Sequence, residues 1–253
     1  MNTNTKKLNE KVAVVTGASK GIGAEIAKHF AAEGAAVVIN YASSKTDADK
    51  VVDEITKRGG KAIAVKANVA KKAEVEQLFA AAKKAFGKLD ILVNNAGVYQ
   101  FGPLESATEG EFHRHFDTNV LGLILATQEA LKHFGTEGGS VINVSSVASS
   151  ATPPASVIYS ASKAAVDAIT GVLAKELGPK KIRVNAINPG PIETEGFHAQ
   201  GFSGSDFERQ AVAQTPLGRL GQPRDVAPAA VFLASPDSAW ITGETIRVTG
   251  GLH

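Results

Sequence analysis

The chain has 253 residues, of which 43% are apolar, enough to build the core of a single α/β domain. Its 27 Lys and Arg residues nearly balance 25 Asp and Glu residues without any block of like charge, which argues against a nucleic-acid partner and an anionic membrane surface. The absence of cysteine excludes disulfides, thiolate catalysis and zinc–thiolate sites.

The first eleven residues lack the apolar segment of a signal peptide, and no later apolar run approaches the ~18 residues of a membrane span. We therefore expect a cytoplasmic protein without membrane contact, whose partner is a small molecule. The lone His198 has no histidine or acid cluster beside it in the sequence, so we expect no metal site.

Short β-branched runs alternate with longer helical patterns along the chain. The predicted strands cover residues 11–16, 35–41, 61–67, 90–95, 140–146, 182–188 and 244–248. The predicted helices cover residues 21–33, 46–58, 71–86, 108–134, 157–177 and 224–234. Most strands are apolar on both faces, as parallel strands between two layers of helices are. The alternation predicts an α/β fold: a single Rossmann-type doubly wound domain over residues 1–253, with a seven-stranded parallel sheet and helices on both faces.

The segment 189–222 is rich in glycine and proline and contains no predicted strand. Connections of this length in compact domains are usually functional loops. We interpret this segment as a substrate lid within the domain.

The stretch TGASKGIG, residues 16–23, ends the first strand and opens the first helix. Its glycines allow a tight turn and close approach of a pyrophosphate to the helix N-terminus, although their spacing is not GxGxxG. A glycine turn without a nucleotide is the alternative. The predicted cofactor contacts in this turn are Gly17, Ser19, Lys20, Gly21, Ile22 and Gly23.

The end of the second strand indicates which dinucleotide binds. An NAD site places a carboxylate there for the ribose 2′-hydroxyl, yet residues 35–46 contain no acid. A carboxylate would repel a 2′-phosphate, whereas Ser44, Lys20 and Lys45 supply donors and positive charge, so NADP(H) is favoured over NAD(H). The alternative is that these serines and lysines are ordinary loop residues that bind no phosphate. The predicted contacts here are Tyr41, Ala42 and Ser43.

Tyr159 and Lys163 are four residues apart on a predicted helix and so share one face. Reduction of a ketone or oxidation of an alcohol needs a group that exchanges a proton near neutral pH, and a free phenol, with a pKa of ~10, does not. An ammonium at ~4 Å stabilises a phenolate by about 4 kcal/mol at an effective dielectric of ~20. If the amine of Lys163 and the phenol of Tyr159 come that close, this lowers the pKa of the phenol by up to about three units. Chance pairing on a helix is the alternative explanation.

Together these motifs resemble the short-chain dehydrogenase/reductase family, over a match from about Val12 to Gly251. The residues that carry the resemblance are TGASKGIG at 16–23, NNAG at 94–97, Asn119, Ser146, Tyr159, Lys163 and PGPIET at 189–194.

The resemblance implies a catalytic set of Asn119, Ser146, Tyr159 and Lys163. Ser146 would bond the substrate oxygen, with Ser145 as the competing choice. Asn119 would hold a water that links Lys163 to solvent, although an Asn inside a helix also kinks it or bonds neighbouring backbone.

The same resemblance implies further cofactor contacts and hydride transfer to the B face of the nicotinamide. An aspartate is usual where Asn68 stands, so weaker contact with the adenine is expected. The implied contacts are Asn68 and Val69 at the adenine, Asn95, Ala96 and Gly97 under the adenosine ribose, and Pro189, Gly190, Ile192 and Thr194 at the nicotinamide.

The predicted substrate is an uncharged, partly apolar ketone or secondary alcohol. Lid aromatics often pack on the protein body instead, so ligand contact and packing are weighed evenly for them. The predicted pocket residues are Val98, Val147, Pro191, Phe197 and Phe202, with Tyr99, His198 and Phe207 nearby.

Three other functions stay open at this stage. A 3-oxoacyl-[acyl-carrier-protein] reductase is disfavoured because Glu137 stands where such enzymes carry a basic residue, and only Lys180 is basic at the second position. A glucose 1-dehydrogenase is kept by the stretch VVINYASSKTDADKVV at 37–52. A non-enzymatic NADP(H)-binding redox sensor is the third.

The family resemblance also implies a homotetramer. Small and apolar residues lie on the predicted helices that pair across two-fold axes in the family, among them Leu121, Leu125, Ala168 and Val172.

Overall fold

The computed structural model describes residues 6–252. Within them, seven parallel strands form one sheet in the order β3-β2-β1-β4-β5-β6-β7. The strands are β1 (Val12–Val15), β2 (Ala36–Tyr41), β3 (Lys61–Lys66), β4 (Ile91–Asn94), β5 (Gly139–Val144), β6 (Ile182–Pro189) and β7 (Thr245–Val248). The predicted doubly wound α/β fold is confirmed, and every predicted strand overlaps an observed one.

Helices cover both faces of this sheet. They are α1 (Gly21–Ala32), α2 (Lys45–Lys57), α3 (Lys72–Phe86), α4 (Glu109–Phe116), α5 (Gly122–Ala130), α6 (Ala148–Ala151), α7 (Val157–Leu177), α8 (Glu195–Ala199), α9 (Asp206–Gln214) and α10 (Pro223–Ala234).

The order of the strands reverses at β1, which lies between β2 and β4. In open parallel sheets, ligands bind at the carboxyl ends of the strands where the order reverses. The glycine turn after β1 and the NNAG motif at the end of β4 meet at this point.

Two hydrophobic clusters lie on opposite faces of the sheet, because successive side chains of a strand point to opposite faces. Val15 belongs to the cluster that contains Ile26 and Phe30 of α1. Its neighbour Val14 belongs to the cluster that contains Leu78 and Phe79 of α3. The strands are apolar on both faces because the helices of a parallel sheet cover both of them.

The predicted helix at 108–134 is divided in the structure. A π-helical turn, Asp117–Leu121, joins α4 to α5 and contains the buried Asn119. Such single-turn insertions are frequent at functional sites because they re-aim a side chain from a helix. The side-chain bonds of Asn119 to backbone, described below, give the reason for the interruption.

The predicted lid contains two short helices, α8 and α9. Its own small core is formed by Phe197, Ala211 and Leu220, with Phe202 and Val212 packed against them. The segment is therefore a packed unit rather than an irregular loop.

One expectation about membrane spans is wrong. The segment Val157–Lys180 has 24 residues with a mean hydropathy of 1.3, long and apolar enough by composition to cross a membrane. It contains α7, which packs on β6 and α6 and buries Lys163. Core helices of globular domains also have this length and composition, and the contacts of α7 fit that interpretation.

Candidate active site

The glycine turn after β1 requires glycine for two separate reasons. Gly17 and Gly21 have φ values of +61° and +59°, in the left-handed region that side chains rarely adopt. A Cβ atom on Gly17 would also lie 2.8 Å from Cα of Ala96. On Gly23 a Cβ would overlap the side-chain amide of Asn95 and lie 2.8 Å from the carbonyl oxygen of Gly17. The turn thus forms a cradle in which the chain approaches itself closely.

Polar side chains hold this turn against the end of β4. Thr16 Oγ1 accepts hydrogen bonds from the backbone N–H groups of Asn95 and Ala96, both at 3.0 Å. Asn95 Nδ2 donates to the carbonyl oxygens of Thr16 and Gly17, both at 2.9 Å. Asn95 and Ala96, predicted to lie under the adenosine ribose, are therefore bonded directly to the glycine turn.

Asn40, at the end of β2, supports the turn from the other side. Its Oδ1 atom accepts from the N–H of Gly17 at 3.1 Å, and its Nδ2 atom donates to the carbonyl of Ala67 at 2.9 Å. Neither Asn40 nor Thr16 was among the predicted site residues. A polar residue with 1–2% exposure at the end of an otherwise apolar strand is the signal that marks both.

The surface after β2 is neutral to basic. Lys20, at the N-cap of α1, is exposed and forms no ion pair with any residue from 6 to 252. Ala42 and Ser43 are exposed, whereas Tyr41 is buried. Lys45 Nζ lies 2.6 Å from Asp49, so its charge is partly neutralised. Lys20 is consequently a cation at this surface that is available to a phosphate.

Asn68 makes bonds that limit its predicted role at the adenine. Its Oδ1 atom accepts from the N–H of Ala70 at 3.0 Å and keeps one lone pair for a further donor. Its own N–H donates to Glu74 at 2.8 Å, which holds the pKa of that carboxyl below its usual range. Val69 is buried, and a Cβ on Gly122 would lie 2.6 Å from it.

Tyr159 and Lys163 share one face of α7, as the sequence predicts, without a direct hydrogen bond between them. Lys163 Nζ lies 6.0 Å from the centre of the Tyr159 ring and donates to the carbonyl of Val144 at 2.8 Å. Lys163 is only 5% exposed, and burial lowers its pKa to about 8.

The expected acidification of the phenol is not present in the protein alone. Burial raises the pKa of Tyr159 to about 12, while the neighbouring Ser146 hydroxyl acts in the opposite direction. The desolvation of the phenolate therefore outweighs the stabilisation that the neighbouring Ser146 hydroxyl provides. The amine bonds to backbone at the end of β5, and the ~4 Å approach of the ammonium to the phenol oxygen stays a prediction.

Ser146, rather than Ser145, places its hydroxyl next to Tyr159. The Ser146 hydroxyl lies beside the Tyr159 side chain and accepts from the N–H of Ala148 at 3.1 Å. Ser145 is buried and its hydroxyl donates to the carbonyl of Lys163 at 3.1 Å. The two serines point in different directions, as alternation along an extended chain requires.

Asn119 fixes the backbone after β4 from the π-helical turn. Its Oδ1 atom accepts from the N–H of Val98 at 2.8 Å, and its Nδ2 atom donates to the carbonyl of Val98 and to Ser162 Oγ, both at 3.0 Å. Both N–H groups of the carboxamide are therefore engaged.

A small cavity lies behind this carboxamide. Its volume of about 10 Å³ is close to the space that one water needs. Asn94 Oδ1, on its wall, is buried and has no hydrogen-bond partner within the described part of the chain. The residues that line the cavity are Thr16, Val69, Asn94, Ala96, Asn119, Gly122, Leu123, Val144 and Lys163.

Aromatic rings surround Tyr159 on the side of the lid. The ring centres of Phe101, Tyr99 and His115 lie 5.7, 6.1 and 6.4 Å from that of Tyr159. Phe101 also contacts the lid, with its ring centre 5.9 Å from that of Phe202. Phe101 was not predicted, although an aromatic residue close behind a site motif was a usable signal.

Of the predicted pocket residues, Phe202 lies in the ring cluster next to Tyr159, whereas Phe197 is buried inside the lid. Phe202 is part of the ring cluster that reaches Phe101, whereas Phe197 is 5% exposed and lies in the core of the lid. Val98 is fixed by Asn119, and the N–H of Val147 donates to the carbonyl of Pro189 at 3.0 Å.

The segment after β6 joins the lid to the sheet. Ile192 is buried and Pro191 accepts from the N–H of Gly221 at 3.0 Å, while a Cβ on Gly190 would lie 3.0 Å from Cα of Thr249. Thr194 caps α8, where its hydroxyl accepts from the N–H of Phe197 at 3.1 Å.

The hydroxyl of Thr194 also lies close to that of Tyr99, both beside Gly196. The Tyr99 phenol is half-buried, and burial raises its pKa while the neighbouring Thr194 hydroxyl lowers it. The predicted nicotinamide contact and the ring cluster around Tyr159 therefore meet at Thr194.

Comparison with known proteins agrees with this geometry. A family model described as Enoyl-(Acyl carrier protein) reductase matches residues 17–253. An uncharacterized oxidoreductase of Methylorubrum extorquens is 58% identical over 247 residues, which cover 98% of this chain and 99% of that relative. A crystal structure of a short chain dehydrogenase from Burkholderia cenocepacia in complex with NADP has a TM-score of 0.91 at 36% identity, with 97% of this chain and 99% of the other covered. The chain belongs to the short-chain dehydrogenase/reductase family.

Another short-chain dehydrogenase/reductase relative carries a more specific name. A probable tetrahydroxynaphthalene reductase of Zymoseptoria tritici is 41% identical over 257 residues, which cover 98% of this chain and 96% of that relative. The resemblance noted in the sequence is thus confirmed at the level of the family, as is the oxidoreductase class.

Proposed function

We propose that the protein is an NADP(H)-dependent oxidoreductase that interconverts an uncharged ketone and a secondary alcohol. The observation that carries this proposal is the placement of the Ser146 and Tyr159 hydroxyls side by side at the carboxyl edge of the sheet, one helical turn from the buried Lys163. A hydroxyl pair of this kind binds one carbonyl oxygen and supplies its proton.

The residues present fit a nicotinamide dinucleotide phosphate. The glycine turn after β1 and the N-terminus of α1 leave room and backbone N–H groups for a pyrophosphate. A Cβ at Gly17 or Gly23 would obstruct this turn. The exposed Lys20 and Ser43, with no acid in residues 35–46, support the phosphate ester over the free ribose hydroxyl. The Burkholderia relative was solved with NADP, which supports the same choice.

Each side chain of the centre has a distinct task in the proposed reaction. When bound, the coenzyme supplies or accepts the hydride. Ser146 donates a hydrogen bond to the substrate oxygen, and Tyr159 gives that oxygen a proton during reduction or removes it during oxidation. Lys163 holds positive charge beside the phenol and would hold the nicotinamide ribose when the coenzyme is bound.

The coenzyme also bears on the high pKa of Tyr159. Burial of a phenol without a compensating charge raises its pKa, as the protein alone shows. The positive charge of an oxidised nicotinamide lowers the pKa of a nearby phenol. We therefore propose that acidification of Tyr159 depends on the bound coenzyme as well as on Lys163.

Proton supply is proposed to run through the cavity behind Lys163. A single water there would accept from Lys163 Nζ and donate to Asn94 Oδ1, which satisfies the unpartnered oxygen. Asn119, whose carboxamide is fully bonded to Val98 and Ser162, fixes the wall of this cavity.

The walls favour an aromatic ketone. Tyr99, Phe101 and Phe202 present ring faces and edges toward Tyr159, a lining that favours planar apolar groups. The naphthalene-type substrate in the name of the Zymoseptoria relative supports the same class.

A carrier-protein substrate is the second candidate, because the matching family model is described as an enoyl-(acyl carrier protein) reductase. Such a substrate needs a basic surface for its acidic carrier. Glu137 is exposed on the loop before β5, where its carboxylate lies 4.0 Å from the exposed Lys181 amine, so the pair adds no net positive charge. Lys180 alone remains as the basic residue at the second position. This arrangement favours a small free substrate.

A coenzyme-oxidation panel tests the proposal. Absorbance of the reduced nicotinamide is followed with hydroxynaphthalene-type and simple aryl ketones, an acetoacetyl thioester and, in the oxidative direction, glucose. NADPH and NADH are compared in parallel. Turnover of aryl ketones with NADPH is expected, and it should disappear in Tyr159→Phe while coenzyme binding persists. Binding of NADPH without turnover of any substrate would favour a redox sensor instead.

A further inference from the structure

Asp167 lies on α7, one helical turn beyond Lys163, and the reaction described above leaves it without a task. Its Oδ2 atom accepts a hydrogen bond from Asn188 Nδ2 at 3.0 Å. Its Oδ1 atom is buried and has no hydrogen-bond partner among residues 6–252. A buried carboxylate oxygen without a donor destabilises the folded protein. This placement therefore points to a role for the charge in the active site.

Asn188 connects Asp167 to the backbone at Ser146. Its Nδ2 atom lies 3.1 Å from the carbonyl oxygen of Ser146 and 3.1 Å from Ser149 Oγ. The Asp167 carboxylate accepts only, so it fixes the amide with its N–H groups toward these oxygens. Asn188 Oδ1 is consequently left buried without a donor in the described chain. The orientation of the amide thus holds the residue whose hydroxyl touches Tyr159.

Asp167 also acts on Lys163 through its charge. Residues four apart on a helix are neighbours, and an acid there favours the charged form of a lysine. Burial alone depresses the pKa of Lys163, and the Asp167 carboxylate opposes that depression. The other titratable groups on the elements packed against this part of α7 include Tyr159 on the same helix, His115 and Glu111 on α4, Asp117 in the π-helical turn, Tyr99 after β4, and Arg247, which is in register with Asn188 on β7.

We propose that Asp167 is a positioning residue of the catalytic centre, which keeps Lys163 an ammonium ion and, through Asn188, fixes the backbone that carries Ser146. Two bonds from α7 and β6 then grip the end of β5: Lys163 to Val144, and Asn188 to Ser146. The kinetic consequence rests on the proposed function, whereas the titration of Lys163 does not.

Titration of Lys163 in Asp167→Asn tests the electrostatic part directly. The protein is labelled with 15Nζ-lysine, and the Lys163 signal is assigned by its loss in Lys163→Met. In the coenzyme-free protein, Asp167→Asn should titrate about one pH unit lower than the unmodified chain, because asparagine keeps the acceptor for Asn188 and removes the charge. Asp167→Glu keeps the charge and should restore most of the shift.

Asp237→Asn is the matched charge control, since Asp237 pairs with Lys7 on the exposed surface. It should leave the titration of Lys163 unchanged. Asp167→Ala serves as a second uncharged variant if asparagine disturbs folding, with circular dichroism as the check on structure.

The kinetic readout is the alkaline limb of kcat/KM for ketone reduction. In Asp167→Asn this limb should move to lower pH by the same amount as the Lys163 titration, with less than about a twofold loss at pH 6. An unshifted Lys163 titration in both uncharged variants would overturn the inference, even if the rate fell at every pH. A shifted titration in a protein that turns over no ketone would leave the role of Asp167 standing and overturn the proposed function.

Discussion

Lys163 Nζ points to the carbonyl of Val144 at 2.8 Å and lies 6.0 Å from the centre of the Tyr159 ring. The amine is therefore held by backbone and shares a face with the phenol without bonding to it. Its burial, rather than a contact with Tyr159, governs its own pKa. Stability and activity should consequently respond in opposite directions to changes at this residue.

Lys163→Met should stabilise the coenzyme-free protein while abolishing turnover. Depression of the lysine pKa from 10.5 to about 8 corresponds to about 3 kcal/mol lost to burial of the charge. Loss of the bond to Val144 offsets part of this, which leaves an expected gain of about 1–3 kcal/mol at pH 7. Urea denaturation measures this gain, and a loss of stability would contradict it.

The lowered pKa of Lys163 should also make the stability of the folded protein depend on pH. Between pH 8 and 10.5 the unfolded chain binds a proton at Lys163 that the folded chain has released, so stability rises with pH in this window. Above pH 10 the raised pKa of Tyr159 acts oppositely, because the unfolded phenol loses its proton first. In Lys163→Met the rise between pH 8 and 10.5 should be absent.

Gly23→Ala should weaken coenzyme binding by at least about tenfold and lower Tm. Its Cβ would overlap the Asn95 amide and lie 2.8 Å from the carbonyl of Gly17, which displaces the turn. Titration of intrinsic fluorescence with NADPH measures the affinity. Gly110→Ala is the matched control, because a Cβ there meets only Thr108 Oγ1 at 3.9 Å.

Lys20→Ala should raise KM for NADPH by about 10- to 100-fold and leave KM for NADH nearly unchanged, since it removes one charged contact with the phosphate ester. Lys45→Ala should have a smaller effect because Lys45 already pairs with Asp49 at 2.6 Å. Equal losses for the two coenzymes in Lys20→Ala would argue against the phosphate role.

Phe101→Ala should raise KM for aryl ketones and loosen the lid. Phe101 is the ring that joins Tyr159 at 5.7 Å to Phe202 at 5.9 Å, so its removal disconnects the two. Hydrogen exchange should become faster in residues 195–214. Phe112→Ala provides the control, since Phe112 is 44% exposed and stacks on Phe116 at 4.4 Å. Unchanged exchange in the lid would show that Phe101 does not anchor it.

Leu121→Glu and Val172→Glu should convert the proposed homotetramer into smaller species. Leu121 and Val172 are apolar and 41% and 54% exposed on the described chain, which leaves both available to the helix pairing that the family resemblance implies. Light scattering at micromolar concentration gives the mass. A monomer in the unmodified protein would refute the tetramer itself.

The fold was predictable because its signals are local and repeated. Strands that are apolar on both faces, such as Val12–Val15, alternate with helical patterns, and this alternation permits few other architectures. The division of the predicted helix at 108–134 was not predictable from periodicity, since the π-helical turn contains Asn119, whose bonds reach Val98 in another segment of the chain.

The membership of the site was easier to predict than its geometry. A spacing of four residues places Tyr159 and Lys163 on one face, but it does not say that a backbone carbonyl at Val144 captures the amine. Asn40 and Phe101 were missed because their partners are distant in sequence or belong to the lid.

The interlock of Thr16 and Asn95 across β1 and β4 has a consequence for engineering. Each side chain bonds the backbone of the other's segment, so neither loop has a conformation of its own. A glycine turn that is grafted into another protein therefore needs the Asn95 segment, 79 residues further along the chain, to be grafted with it. A design that uses this turn has to treat the two segments as one structural unit.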